Sequence, residues 1–197
     1  MTVAELSEAQ VHEIVSRVVQ RTLGAATPAS EPAAGGAPAS SEQRGPVAVG
    51  ADHGGYALKE ALKAYLHELG YTLTDCGTHS TEPVDYPDLA YAVARLVGSG
   101  EAWRGIVVDG AGIGSAMAAN KVPGVRAALC YDHATAVNSR EHNDANVLTL
   151  GAGLIGPNLA KQIAQTWLAT PFGGGRHQGR VDKITDIERR FSRNTTP

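Results

Sequence analysis

Cysteine is scarce in this chain: Cys76 and Cys130 are its two thiols in 197 residues. Two such residues build no disulfide framework and no metal-ligand spacing, and they read as reduced thiols of a cytosolic protein. Aromatic residues make up 5% of the chain. No apolar run approaches the ~20 residues of a membrane span, so no membrane contact is expected. Positive charge is not in excess either. The 17 Lys and Arg are outnumbered by 20 Asp and Glu, for a net charge of −3, which removes the basic footprint of a nucleic-acid-binding protein. The N-terminus lacks the basic start and apolar core of a secretory signal. Glu5, Glu8 and Glu13 argue against a transit peptide, which is poor in acids. A cytoplasmic location is the expectation that remains.

What the chain has in quantity is glycine, at 23 residues, and a marked change of composition near its start. Residues 1–23 carry Leu6, Val11, Ile14, Val15, Val18, Val19 and Leu23 at helical spacing, with Glu8, Glu13, Arg17 and Arg21 off that stripe. Residues 24–45 are almost wholly Ala, Pro, Gly, Ser and Thr, a flexible linker with too little apolar surface to fold. A helix this short needs a partner for its stripe. It either packs on its own domain or a second copy, or it is a targeting tag. The pairing of a terminal amphipathic helix with an Ala/Pro/Gly/Ser linker resembles the encapsulation peptides of bacterial microcompartments. That resemblance implies shell proteins as partners of residues 3–23 and a location inside such a compartment.

From residue 46 to 197 strands and helices alternate. Strands are expected at Val47–Val49, Tyr71–Asp75, Ile106–Val108, Val125–Cys130 and Asn146–Leu150. Helices are expected at Tyr56–Leu69 with Gly70 as its stop, through Leu89–Val97, after the glycines at 110–114, from Ala134 towards Glu141, from Pro157 to Leu168, and from Arg180 to Phe191. Repeated strand–helix units predict an α/β fold, a five-stranded parallel sheet with helices on both faces. Ligands of such sheets bind beyond the carboxyl ends of the strands.

The most informative stretch is Gly105–Lys121, GIVVDGAGIGSAMAANK. An apolar strand ends on Asp109, and Gly110, Gly112 and Gly114 then lead into a small-residue helix. A carboxylate beside an amide-lined turn suits proton abstraction next to a carbonyl: the base takes the proton and the amides hold the enolate oxygen. Other polar clusters also fall at strand ends or helix starts. Asp52 and His53 follow the first strand, and Arg140–Asp144 precedes the fifth. Arg176 and Arg180, four residues apart near the C-terminus, suit a phosphate if they share a helical face.

Together these stretches resemble the ribose-5-phosphate isomerase B family, which includes galactose-6-phosphate isomerase subunits. The resemblance runs from Val47 to about Arg190 through GADHGGYALK, TDCGT, DYPDLA, GIGSAMAANK, GVRAALC, REHNDANVL and GGRHQGR. It implies a Rossmann-like three-layer α/β/α domain, a homodimer or tetramer with active sites shared between subunits, and interconversion of aldose and ketose phosphates without metal or other cofactor. Carried over by position, His142 opens the sugar ring and Asp52 contacts its hydroxyls. His53, Arg176 and Arg180 hold the phosphate, Asn143 contacts the sugar, and the amides of Gly110, Gly112, Gly114 and Ser115 stabilise the enediolate. The resemblance also implies that His142, Asn143 and the arginines come from the neighbouring subunit.

Three positions depart from that family. Asp109 stands where a Cys base is common, and Ser115 where another branch carries a Glu base, which leaves Asp109 as the expected base. Ala111 replaces a hydroxyl residue, and Gly153 replaces an Arg at the phosphate end. These departures leave two functions in view: an aldose–ketose isomerase working through an enediolate, or a sugar-phosphate-binding or assembly protein that kept the fold without turnover. Other signals carry less. Gly151–Gly156 fits a dinucleotide fingerprint but follows the last strand with no acid about 20 residues on. His12, His67 and His133 read as helix residues, His79 as a loop residue within reach of a sugar, and Cys76 as an inert thiol.

Overall fold

In the computed structural model the chain divides into two compact units, 1–38 and 39–197. The structure describes residues 45–192 together with Ser7, Ala9 and Glu13. The amphipathic stripe expected over 1–23 and the linker expected over 24–45 therefore lie outside the described residues, those three and Gly45 excepted.

Five strands form one parallel sheet: β1 (Val47–Ala51), β2 (Leu73–Asp75), β3 (Arg104–Asp109), β4 (Ala127–Leu129) and β5 (Val147–Gly151), in the order β2-β1-β3-β5-β4. Helices follow them in turn: α1 (Tyr56–Glu68), α2 (Tyr86–Gly98), α3 (Ile113–Ala119), α4 (His133–Glu141), α5 (Pro157–Ala169) and α6 (Gln178–Ser192), the last preceded by a 3₁₀ turn at Gly175–His177. The fold is thus the expected α/β arrangement, with differences at element ends. β2 and β4 are shorter than their apolar runs. α6 begins two residues before the expected start, and Arg176 falls in the 3₁₀ turn outside it, so the two arginines do not share one helix.

Strand pleating splits the core. Val47, Val49, Ile106, Val108, Leu148 and Leu150 pack against α1, α4 and α5, where Leu62, Ala136, Ile163 and Trp167 are buried. Ala48, Val107 and Val147 pack on the other face against α2 and α3, through Val93 and Ala119. Because strands buried on both faces have no polar side, they read as continuous apolar runs. Arg104, Asp109 and Thr149 are buried polar exceptions on these strands; the first of them, Arg104, holds a helix end. Its guanidinium donates to the carbonyls of Trp167 (2.7 Å) and Leu168 (2.9 Å), satisfying the otherwise orphaned end of α5.

The chain runs from β1 outward to β2, then crosses back to β3 on β1's other side. The crevice between the carboxyl ends of β1 and β3 is the topological switch point, where such sheets bind ligands. Asp52 and His53 follow β1, and Asp109 ends β3.

Candidate active site

One group of candidate residues surrounds that crevice. Gly55 brings the start of α1 against β3 so closely that a Cβ there would lie 2.2 Å from the Val108 carbonyl oxygen. This approach fixes the preceding turn. Asp52 donates its amide to Val108 O (3.2 Å), and its Oδ1 accepts from the Gly55 amide (2.8 Å). His53 is exposed, with Nδ1 3.3 Å from the backbone nitrogen of Val84. The loop carrying Val84 is anchored by buried Lys59, whose Nζ donates to Asp75 Oδ1 and to Thr78 O, each at 2.8 Å.

Asp109 is 4% exposed and turns inward. Its Oδ1 accepts from the amides of Ala111 (2.8 Å) and Gly112, and its Oδ2 from the amide (3.0 Å) and hydroxyl of Ser115. Gly112 adopts φ +77, the left-handed conformation that lets the chain curl round the carboxylate. The sequence assigns the amides of the turn to a ligand; the carboxylate takes three of them, those of Ala111, Gly112 and Ser115, because its own side chain reaches them first. Those of Gly110, Ile113 and Gly114 are not among its donors. Two further side chains that the motif reading passed over shape this turn. The Tyr86 ring lies where a Cβ on Gly114 would be, within 2.5 Å, and Tyr131 donates its hydroxyl to Ala111 O at 2.8 Å. The β5 end is knitted on by Ala152 N to Asp109 O (2.8 Å) and Gly153 N to Gly110 O (2.9 Å), which puts Gly153 beside the turn.

The remaining candidates gather at the other edge of the sheet. The helix α4 leaves β4 and runs back to the start of β5, so in a parallel sheet it ends at the strands' amino ends. Much of the Arg140–Asn146 segment is scaffold. Arg140 Nη1 donates to Asp144 Oδ1 (2.8 Å), Arg126 Nη2 to Asp144 Oδ2 (2.7 Å), and Asn146 Oδ1 accepts from the Arg126 amide (2.7 Å). Held by these bonds, His142 and Asn143 are presented outward. Asn143 donates to Asn138 Oδ1 (3.3 Å), which orients the Asn138 amide so that its Nδ2 faces His142 Nδ1 at 2.8 Å. With Asn138 donating to Nδ1, Nε2 is left as the ring's donor.

The Gly173 amide donates to Glu141 O (2.9 Å), bringing the C-terminal segment alongside. There His177 stacks on His142, ring centroids 4.1 Å apart and 5° from parallel, and Arg176 Nε donates to His177 Nε2 at 3.3 Å. Arg176 and Arg180 are both exposed. Desolvation by burial and the charges of His142, Arg176 and Arg180 hold His177 below the ordinary imidazole range, with Glu141 acting the other way. The only sequence signal for His177 is its place between the two arginines.

So the candidates form two groups, Asp52, His53 and Asp109 with its turn at the carboxyl edge, and His142, Asn143, Arg176 and Arg180 at the amino edge. Five residues of β5 separate the edges by about 17 Å. Among the described residues no three His, Cys, Asp or Glu side chains converge as a metal site would require.

The family model for ribose/galactose isomerases matches residues 47–184, the segment that carries both groups. The chain belongs to the ribose/galactose isomerase family. It is 46% identical over 144 residues to ribose-5-phosphate isomerase B of Escherichia coli, covering 73% of this chain and 97% of that protein. It is 44% identical over 139 residues to D-erythrulose-4-phosphate isomerase of Pectobacterium atrosepticum, covering 70% and 91%. The solved structure of ribose-5-phosphate isomerase B from Clostridium thermocellum superposes with a TM-score of 0.73 at 52% identity, covering 74% of this chain and 98% of that one. The isomerase family member described here is therefore an enzyme of the sugar-phosphate aldose–ketose class, an intramolecular oxidoreductase, and its sheet and helices are those of its relatives. None of its described helices is long and apolar enough to cross a membrane.

Proposed function

We propose that this enzyme interconverts an aldose phosphate and a ketose phosphate of four to six carbons through an enediolate, in a site completed by a second copy of the chain. Ribose 5-phosphate and ribulose 5-phosphate lead the candidates, because the relatives from Escherichia coli and Clostridium thermocellum are named for the former. The four-carbon relative keeps a shorter sugar in view. The observation that carries the reading is the division of the site. His142, Asn143, Arg176 and Arg180 lie at one edge of the sheet, and Asp52, His53 and the carboxylate turn at the other, so neither group makes a site alone. A second copy that sets its amino edge against the first copy's carboxyl edge completes it. A groove beside Asn143 supports such packing: edge strand β4 floors it with Ala127 and Ala128, and Ile187 and Phe191 of α6 stand exposed along its wall.

Within that site His142 moves a proton during ring opening from its Nε2. His53, Arg176 and Arg180 carry the phosphate charge, and Asp52 and Asn143 hold sugar hydroxyls. Asp109 takes the proton from the carbon next to the carbonyl and returns it to the former carbonyl carbon, while the hydroxyl proton of the first of these carbons passes to the former carbonyl oxygen. To do so it must exchange one of its donors for the substrate. The Ser115 hydroxyl is the one that can rotate away, since the other three are backbone amides. The amides of the turn that Asp109 does not take, those of Gly110, Ile113 and Gly114, are left for the enediolate oxygen. Residues 3–23 serve in this reading as a tag for a microcompartment shell. Their deletion leaves turnover unchanged and abolishes co-assembly with shell proteins.

The test is proton exchange. Protein in deuterated water is mixed with ribose 5-phosphate, ribulose 5-phosphate, erythrulose 4-phosphate and a six-carbon analogue. Deuterium entering C1 or C2 of one of them, and lost in Asp109→Asn, is the expected result. Absence of exchange with every one of them overturns the reading.

A further inference from the structure

Tyr131 has no part in the reaction described above, yet its hydroxyl reaches the middle of the Asp109 turn. It follows β4 at the carboxyl edge, and its two neighbours fix its backbone. Cys130 donates its amide to Thr149 O of β5 (3.2 Å), and Asp132 caps α4 by accepting from the Thr135 amide (2.7 Å). The ring packs on the core face that α1, α4 and α5 cover. From there the phenol donates to Ala111 O at 2.8 Å. That carbonyl is one end of a peptide whose other end is the Gly112 amide, a donor to Asp109 Oδ1. A peptide is planar, so its two ends turn together. A hydrogen-bonded chain therefore runs from the Tyr131 hydroxyl through one peptide to the carboxylate, and each bond in such a chain polarises the next.

This peptide is the loosest link of the turn. Gly112 has φ +77, and a glycine leaves that conformation for others at little cost, so nothing in residue 112 itself stops the peptide from turning over. Two contacts hold it. Gly151 leaves room for Ala111 O, since a Cβ there would lie 2.6 Å from it, and Tyr131 binds that same oxygen. Once substrate displaces the Ser115 hydroxyl, Asp109 depends on backbone amides for its orientation, and the Gly112 amide is the end of a peptide anchored from outside the turn. We propose that Tyr131 is a positioning residue: its hydroxyl, bound to Ala111 O, holds the Gly112 amide on Asp109 and keeps the base in a single orientation through the reaction. The inference rests on the reading of Asp109 as the base under Proposed function.

The test compares wild type with Tyr131→Phe, which removes one oxygen and keeps the ring, in the full chain and with the four sugar phosphates of the exchange experiment. Tyr131→Phe is expected to lower kcat for exchange about tenfold, the scale of one hydrogen bond, with KM within about twofold of wild type. Added to Asp109→Asn, the same change is expected to alter the residual exchange less than about twofold, because its route to the substrate is gone. Should Tyr131→Phe not fold, Tyr131→Leu takes its place. A wild-type kcat in the variant overturns the inference, as does a raised KM at unchanged kcat, or an equal loss in both backgrounds. In protein labelled with heavy-nitrogen glycine, the Gly112 amide proton is expected to move upfield in Tyr131→Phe as its bond to the carboxylate loosens; an unmoved resonance overturns the inference even where the rate falls. Wild-type exchange that Tyr131→Phe leaves intact defeats this inference alone, whereas absence of exchange from wild type defeats the isomerase reading and this inference together.

Discussion

The two edges of the sheet solve the problem of presenting polar groups in opposite ways. At the carboxyl edge the geometry is set by backbone. Gly55, Gly112 and Gly151 permit approaches that a Cβ would block, and the Asp109 carboxylate is wrapped by the turn it belongs to. At the amino edge the geometry is set by side chains. Arg140, Asp144, Arg126 and Asn146 brace each other, while His142, Arg176 and Arg180 project from helix ends. At the first edge the carboxylate is held on all sides by its own turn; the second edge is braced from below and open above. A base needs a fixed position and a dry surrounding, and a phosphate clamp needs reach, so each edge suits the role proposed for it.

This contrast can be broken at several points. The largest effect is expected at Asp109. Asp109→Asn should lower the rate of exchange by about 10²–10⁴-fold, the usual worth of a positioned base. It should also cost about 2 kcal/mol in chemical unfolding, because an amide cannot accept from all four donors. A loss of stability without a loss of rate would make Asp109 a staple of the turn only. Gly55→Ala comes next: a Cβ 2.2 Å from Val108 O forces α1 off β3, at a cost of about 3 kcal/mol or more by urea unfolding. A matching change at the open edge, Asn143→Ala, should leave stability within about 0.5 kcal/mol while weakening turnover.

The smallest effect concerns the loop that seats His53. Burial pushes the Asp75 carboxyl up, but Lys59, Lys63 and the Gly77 amide outweigh it and hold the group at about 2 against an ordinary 3.8. A depressed carboxyl contributes stability that is complete above its unfolded value. That contribution is lost as pH falls from about 4 towards 2. It amounts to about 2 kcal/mol at most, reduced by partial exposure. Unfolding midpoints measured across that range should fall with pH in wild type and fall less in Asp75→Asn.

Most of the fold was legible from the residues. The apolar runs of β1, β3 and β5, with glycine or proline punctuation, identify buried parallel strands, and Pro157 marks the start of α5. The start of α6 was not legible, because Gly173–Gly175 hides a 3₁₀ turn that absorbs Arg176. The inward turn of Asp109 was not legible either: a strand-end carboxylate before glycines reads equally as a group facing a ligand or a cap for its own turn. In the structure the carboxylate caps its own turn through three amides, and its part in the reaction is the role proposed for it. The separation of His142 from Asp109, by contrast, follows from the parallel sheet: a helix that leaves the carboxyl end of β4 and leads into β5 ends at the amino edge.

The account stands or falls on whether the two edges meet between subunits. Asp109→Asn disables the carboxyl edge and His142→Asn the amino edge, and each variant alone should be nearly inactive. When the two are mixed, unfolded together and refolded, random pairing makes half of the dimers mixed, each with one intact site of two. Deuterium exchange should then recover to about a quarter of the wild-type rate. A mixture no more active than either variant alone would contradict the shared site.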